Sequence, residues 1–197
     1  MARRSEHSQE EIKEMVLKAA ENIVTEEGFA KLKVRKVAMD IGYTVGSVYM
    51  VFDNMDDLIM QIKGRTLDEI ANQLKQVINN ENAEPVINQL AKTYLTYADQ
   101  NFNRWSMIFD HRLADAESAP EWYQQKVDAI FSLVELQFRQ LSTSHNDEQN
   151  KLAARALWSG VHGICILSLS GKMDLLGINN IESAVLILVE NFIKGWK

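Results

Sequence analysis

The sequence predicts an all-α chain of about nine helices, and three observations carry that expectation. Apolar residues recur at three- and four-residue spacing through nearly every segment, and no stretch alternates with a period of two. Only two prolines, Pro85 and Pro120, and nine glycines punctuate 197 residues, too few breakers for a loop-rich or all-β protein. Short polar turns separate the long periodic segments, so successive helices need little connecting chain.

The elements follow in order. Residues 8–27 carry Ile12, Val16, Ala19, Ala20, Ile23 and Val24 on one stripe. Ser8 and Glu11 can form a capping box at its head, and Gly28 is a natural stop. Residues 34–41 make a short helix with Val34, Val37, Ala38 and Ile41 apolar, closed by Gly42. Thr44 is the N-cap candidate for a third helix, 45–52. Asp53-Asn54 breaks that helix and caps a long one, running from residue 54 or 55 to about 79, with Leu58, Ile62, Ile70, Leu74, Val77 and Ile78 apolar. A polar turn over 79–82 precedes a helix at 83–101, where Pro85 is tolerated in the first turn because the N–H it lacks has no partner there. Residues 102–111 form a short, aromatic-rich helix, and 113–119 a loop closed by Pro120. Two long helices, 121–141 and 148–170, flank the polar segment 142–147; a connection over 171–180 leads to the last helix, 181–196.

Composition narrows the function. Hydrophobic residues are 46% and charged residues 24%, the balance of an ordinary globular protein. The lone Cys165 excludes an intrachain disulfide and a multi-cysteine metal cluster. The longest apolar run, near residues 163–169, is too short for a bilayer, and the N-terminus has no apolar signal core, so no membrane role and a cytoplasmic location are expected. Net charge is −6, yet residues 1–50 hold eight cations and eight anions; the remainder carries the whole excess. Lys31, Lys33, Arg35 and Lys36 cluster within that neutral segment, a local footprint compatible with nucleic acid.

The informative unit is residues 32–52. Two short helices across Gly42-Tyr43-Thr44 form a helix-turn-helix, with Gly42 free to take the positive φ of a tight turn and Ala38 small at the crossing. The second helix of such a pair enters the DNA major groove. Together with Ala19-Ala20, Gly28-Phe29, Val34-Arg35-x-Val37-Ala38, Gly46-Ser47-Val48-Tyr49-x-x-Phe52 and Asp57-Leu58, this ordering resembles the tetracycline-repressor (TetR) family of bacterial transcription regulators, over residues 10–60.

The resemblance implies a DNA-binding head (1–54) and an α-helical ligand-binding and dimerisation body (55–197). Carried over by position, Arg35 and Thr44 touch phosphates, and Tyr49 packs its ring while its hydroxyl reaches the backbone. Tyr43, Val45 and Ser47 face base edges, and Gly46 permits close approach. Met50, Val51 and Met55 stand where the family commonly has polar or basic residues, and Lys33 where a capping Thr is usual. A weaker electrostatic grip is therefore expected, with Lys31, Lys33, Lys36 and an Arg3-Arg4 arm as substitutes, and with Val45 favouring thymine methyls. Trp158-x-x-x-His162-Gly163 resembles the signature of one ligand-domain subgroup of the family.

Phe102, Trp105, Phe109, Trp122 and Trp158, with His162 as a polar handle, are the candidate lining of a pocket for a small apolar or aromatic effector. Their bland alternative is core packing. Asp110-His111 reads as solvated surface and Cys165 as a small buried hydrophobe. No metal, cofactor or catalytic set is expected, so an enzyme is the remote reading. The last helix is apolar over more than half its circumference. A two-fold four-helix interface is expected to include Leu157, Val161, Val185, Leu188, Val189 and Phe192, pairing two heads on a palindromic operator. The function reading is a homodimeric, ligand-responsive repressor bound to double-stranded DNA. The alternative is an all-α small-molecule-binding or interaction protein whose head holds DNA only weakly.

Overall fold

The computed structural model describes residues 7–78, 82–113, 118–172, 177 and 180–197. The Arg3-Arg4 arm lies outside the described residues. Among those described there are nine α-helices, one short 3-10 helix and no strand. The helices are α1 (Gln9–Glu27), α2 (Val34–Asp40), α3 (Val45–Val48), α4 (Met55–Gln76), α5 (Ala83–Gln100), α6 (Phe102–Asp110), α7 (Glu121–Leu141), α8 (Asp147–Leu169) and α9 (Ile181–Trp196).

Local chemistry accounts for most of the ends. At the head of α1 the Ser8 hydroxyl accepts from the Glu11 N–H, and the Glu11 carboxylate accepts from the Ser8 N–H at 2.7 Å, completing the capping box. Those bonds hold the Glu11 carboxyl below the usual glutamate range. Gly28 ends α1 at φ 84°, and the 3-10 turn Phe29–Lys31 follows, an element the periodicity did not announce because it is a single tight turn. Asn146 and Gln149 form a second capping box and start α8 at Asp147. The expected third helix, 45–52, is regular only over Val45–Val48, although Met50 N–H to Gly46 O and Phe52 N–H to Val48 O continue the coil.

The chain forms two compact units: Met1–Thr66 with Asn103–Pro120, and Leu67–Phe102 with Glu121–Lys197. The division falls inside α4 rather than before it at residue 54. The reason is burial: Leu58, Ile59 and Ile62, on the first half of α4, belong to the head's own core with Val16, Val37, Val48 and Phe52. Met107 from α6 joins the same cluster. In the second unit α5, α7, α8 and α9 pack on one another around Leu90, Phe138, Ala154, Val185, Val189 and Ile193. Gly160 lets α8 approach α9 closely: a Cβ there would lie 2.7 Å from Leu188 Cδ2.

Candidate nucleic-acid interface and effector pocket

In the head, α1, α2 and α3 pack pairwise, with Val37, Ala38, Val48 and Phe52 buried at their junction. Gly42 turns the chain at φ 72°, a conformation costing an ordinary L-residue about 1–2 kcal/mol. That turn lets the Tyr43 N–H reach the Ala38 carbonyl at 2.9 Å. Thr44 then caps α3, its hydroxyl accepting from the Ser47 N–H at 3.2 Å and lying 3.0 Å from the Ser47 hydroxyl.

Of the eight residues singled out for DNA, Lys33, Arg35, Thr44, Gly46 and Tyr49 are exposed on this pair of helices. Tyr43 and Val45 are half-buried against the head core, and Ser47 is half-buried on the Thr44 cap. The Tyr43 hydroxyl lies 2.7 Å from His7 Nδ1. Met39 and Met50 project further than Tyr49, at 73% and 65% exposure against 43%. Met39 was legible in the sequence as the position off the Val34–Val37–Ala38–Ile41 face, but its residue type suggested core.

The basic cluster is partly engaged within the head. Lys36 pairs with Glu27, whereas Lys31 and Lys33 are exposed. The Lys13 ammonium lies 5.9 Å from the centroid of the Phe52 ring. Met55 is half-buried against the head core, so the first residue of the connecting helix serves packing rather than charge. Arg65 bridges α4 to Glu14 and Glu21 on α1; its guanidinium is held further protonated and the Glu14 carboxyl is pulled down.

His111 corrects the expectation of solvated surface. It is buried, with Nε2 2.9 Å from Asp56 Oδ1 and its ring edge-on to Phe29. A single histidine and one carboxylate are too few donors for a metal cage, and no group of three His, Cys, Asp or Glu that could hold a metal occurs among the described residues.

In the second unit, a cavity of about 40 Å³ is lined by Leu74, Ile87, Leu90, Ala91, Tyr94, Ile130, Phe131, Val134, Leu157, Trp158 and Val161. No lining residue is charged. Trp158 stacks on His162 at 4.8 Å and 14°, and the rings of Tyr94 and Phe131 meet Trp158 edge-on. The Tyr94 hydroxyl lies 3.1 Å from His162 Nδ1, and burial lowers the His162 pKa below the ordinary histidine value, so the imidazole is neutral at pH 7. Beside this wall the Arg155 guanidinium sits 4.7 Å from the Phe131 ring centroid and pairs with Glu135 at 2.6 Å.

Of the six residues expected to line the pocket, Trp158 does so and His162 stacks behind it. Trp105 and Phe109 lie on α6 within the first unit, edge-on to each other, with Trp105 at 0% exposure. Phe102 is exposed, and Trp122 borders a separate open groove with Asp68, Lys75 and Lys126. Tyr94 and Phe131 went unnoticed because their partners come from different helices; each lies on the apolar stripe of its own helix, the one signal that could have found it.

The residues expected at a subunit interface also separate. Leu157, Val161, Val185 and Val189 are buried within the unit itself, while Leu188 and Phe192 are half-buried against Gly160 and Phe138. Facing outward instead are Leu152, Ala156, Ser159, Ile166 and Leu167 on α8 and Ile187 on α9, with Leu152 70% and Ile187 62% exposed. Along α8 Leu152, Ala156, Ser159 and Ile166 follow at steps of four, three and seven residues, with Leu167 adjoining the last, hence on one face. By length and composition α8 could cross a membrane, an 18-residue stretch of it reaching a mean hydropathy of 1.4, but Arg155 interrupts every such stretch. Cys165 is buried and its thiol pushed up to about 12, so it is no nucleophile at neutral pH.

Comparison with known proteins places this architecture. Residues 16–62 match the model of the bacterial regulatory proteins of the tetR family, and residues 87–191 that of the tetracycline repressor-like C-terminal domain. An uncharacterized helix-turn-helix (HTH)-type transcriptional regulator of Mycobacterium tuberculosis is 26% identical over 163 residues, 82% of this chain and 72% of that one. A protein of unknown function from Rhodococcus sp. RHA1 shares the fold with a TM-score of 0.78 at 16% identity, over 99% of this chain and 98% of that one. A tetR-family transcriptional regulator from Streptomyces coelicolor does so at 0.68 and 15%, over 94% and 80%. With the helix-turn-helix and the body each matched in order along one chain, the protein belongs to the TetR family and is a DNA-binding transcriptional regulator.

Proposed function

We propose that the protein is a cytoplasmic, ligand-responsive repressor that binds a palindromic operator as a homodimer. The observation that carries the reading is the apolar face of α8 and α9, where Leu152, Ile166, Leu167 and Ile187 stand exposed beside small residues. A second copy of the chain is the occupant that also supplies the second head a palindrome requires. Small residues such as Ala156 and Ser159 favour close helix approach across that face, and a polar Ser159 with the ion-paired Arg155 nearby suits a protein partner better than lipid.

Effector control is supported by the cavity. Its wall is aromatic and aliphatic with the neutral His162 behind it, which favours an uncharged, apolar or aromatic molecule. At about 40 Å³ it is far smaller than the roughly 300–1,000 Å³ of ligand clefts, so such a molecule would have to open it. The Trp158-x-x-x-His162-Gly163 likeness is carried by those residues alone and names no ligand. An effector releases DNA only to the extent that it prefers the conformation DNA does not.

The test measures fluorescence anisotropy of duplexes from the DNA flanking the coding region, together with mass by light scattering. Tight binding by a dimer, relieved by a neutral aromatic compound, is the expected result. A monomer with no affinity above that for random duplex at low salt would favour the interaction-protein alternative.

Gly46 gives a sharper check on which surface meets DNA. A Cβ built there meets only Thr44 Oγ1, at 3.6 Å, so the free protein has room for alanine. Gly46→Ala is expected to stabilise the head by about 0.5–1 kcal/mol through helix propensity. It should nevertheless weaken operator binding by about tenfold or more, because the recognition helix could no longer approach the duplex as closely. Thermal melts and binding isotherms on one preparation check both signs.

A further inference from the structure

The contact between His7 and Tyr43 joins the residue just before α1 to the turn that leads into the recognition helix. His7 Nδ1 and the Tyr43 hydroxyl are 2.7 Å apart, and the rings meet edge-on at 6.1 Å. Tyr43 directly precedes Thr44, the cap of α3, the helix expected to address DNA. Neither residue is deeply buried, and the two are 36 positions apart in sequence; tertiary packing brings them together.

We infer that His7 is a positioning residue of the DNA interface whose protonation strengthens operator binding. The two protonation states make the same contact with opposite polarity. In the neutral tautomer with its proton on Nε2, His7 accepts the Tyr43 O–H at Nδ1, which occupies the only proton the phenol has to donate. Protonated His7 donates from Nδ1 to the phenol oxygen, which frees the Tyr43 O–H to point at a phosphate or a base edge. The same step adds a cation to a head whose first fifty residues are neutral overall and whose Lys36 is already paired with Glu27. Among the described residues, the Glu11 carboxylate from α1 feels the charge of the imidazole, and the Tyr43 phenol from the α2–α3 turn contacts its Nδ1. Glu11 is engaged by the Ser8 cap and stays ionised across the range in which histidine titrates.

The sign follows from linkage. DNA phosphates favour the protonated imidazole, so the complex binds a proton more tightly than the free protein does and affinity rises as pH falls. One added cation at the phosphates steepens the log–log salt dependence by about one unit.

The experiment uses the intact protein and a duplex recovered from random sequence by in vitro selection on it. Salt titrations are run at pH about 5.5 and about 8, either side of the ordinary histidine range. The wild type is expected to bind about three- to tenfold more tightly at the lower pH, with the steeper salt slope. His7→Gln should remove both differences while keeping the melting temperature. His7→Lys, a permanent cation, should show the steep slope at both pH values. His111, His145 and His162 remain in both variants, so any titration of theirs survives the substitution. A wild type with no pH step, or a His7→Gln protein that retains the whole step, would overturn the inference. A His7→Lys protein whose slope still changes with pH would do the same.

Discussion

Ile187→Glu is expected to leave the protomer folded, separate the proposed homodimer and lower affinity for a two-half-site operator by about a hundredfold or more. The side chain is 62% exposed in the isolated chain, so a carboxylate there stays hydrated in a monomer and costs its fold little. Across a two-fold interface built on this apolar face the same carboxylate would be stripped of water, and a buried unpaired charge costs about 3–5 kcal/mol. Two heads on one dimer bind the second half-site at high effective concentration; a monomer loses that gain without losing any contact of its own. Light scattering should report the monomer mass, and far-UV dichroism an unchanged helical signal. Val189→Glu is the contrast: Val189 is buried in the unit's own core, so that variant should unfold the body rather than dissociate it. A dimeric Ile187→Glu protein with wild-type operator affinity would place the interface elsewhere.

The second large effect concerns two tryptophans that the sequence presents as equals. Trp105→Ala is expected to destabilise the protein by about 3–5 kcal/mol, the cost of removing a large, fully buried side chain. Against a typical total of about 5–15 kcal/mol, that is a large fraction of the stability. Trp158→Ala removes a half-buried ring from the edge of a cavity that already holds about 40 Å³, so its cost should be smaller. It should also widen this apolar cavity, the space proposed for an effector. Urea unfolding followed by dichroism separates the two variants, and binding of a neutral aromatic probe should change only in Trp158→Ala. A loss below about 1 kcal/mol for Trp105→Ala would show that α6 packs less tightly than its burial implies.

These tryptophans show where sequence reasoning stopped. Trp105, Phe109 and Trp158 all belong to apolar helical stripes, and periodicity says only that each faces inward. It does not say inward to which core. α6 delivers Trp105 and Phe109 to the first unit, and α8 delivers Trp158 to the second. Tyr94 and Phe131 complete the cavity from α5 and α7, a convergence of chain segments that no local pattern encodes. The residues expected at a subunit interface separate from the exposed ones for a related reason. Val185 and Val189 look like any other apolar position on α9, and only the packing of α5 and α8 against that helix left Ile187, rather than them, facing outward.

The local sequence was sufficient wherever the physics is local. Ser8 with Glu11, Gly28, Gly42 and Thr44 each place a hydrogen bond or a backbone angle within a few residues, and each is found where the sequence puts it. The all-α class, the order of the helices and the helix-turn-helix follow from such signals, together with the spacing that resembles the TetR family. The tertiary structure decided what depends on contacts distant in sequence. It set the extent of the head, which takes in the first half of α4, and the true lining of the cavity. It also chose which apolar residues remain exposed on α8 and α9, and it set His7 against Tyr43. The physical reason is that hydrophobic burial is non-directional: it drives an apolar stripe out of water without selecting its partner, and the selection is made by the shape of the other helices.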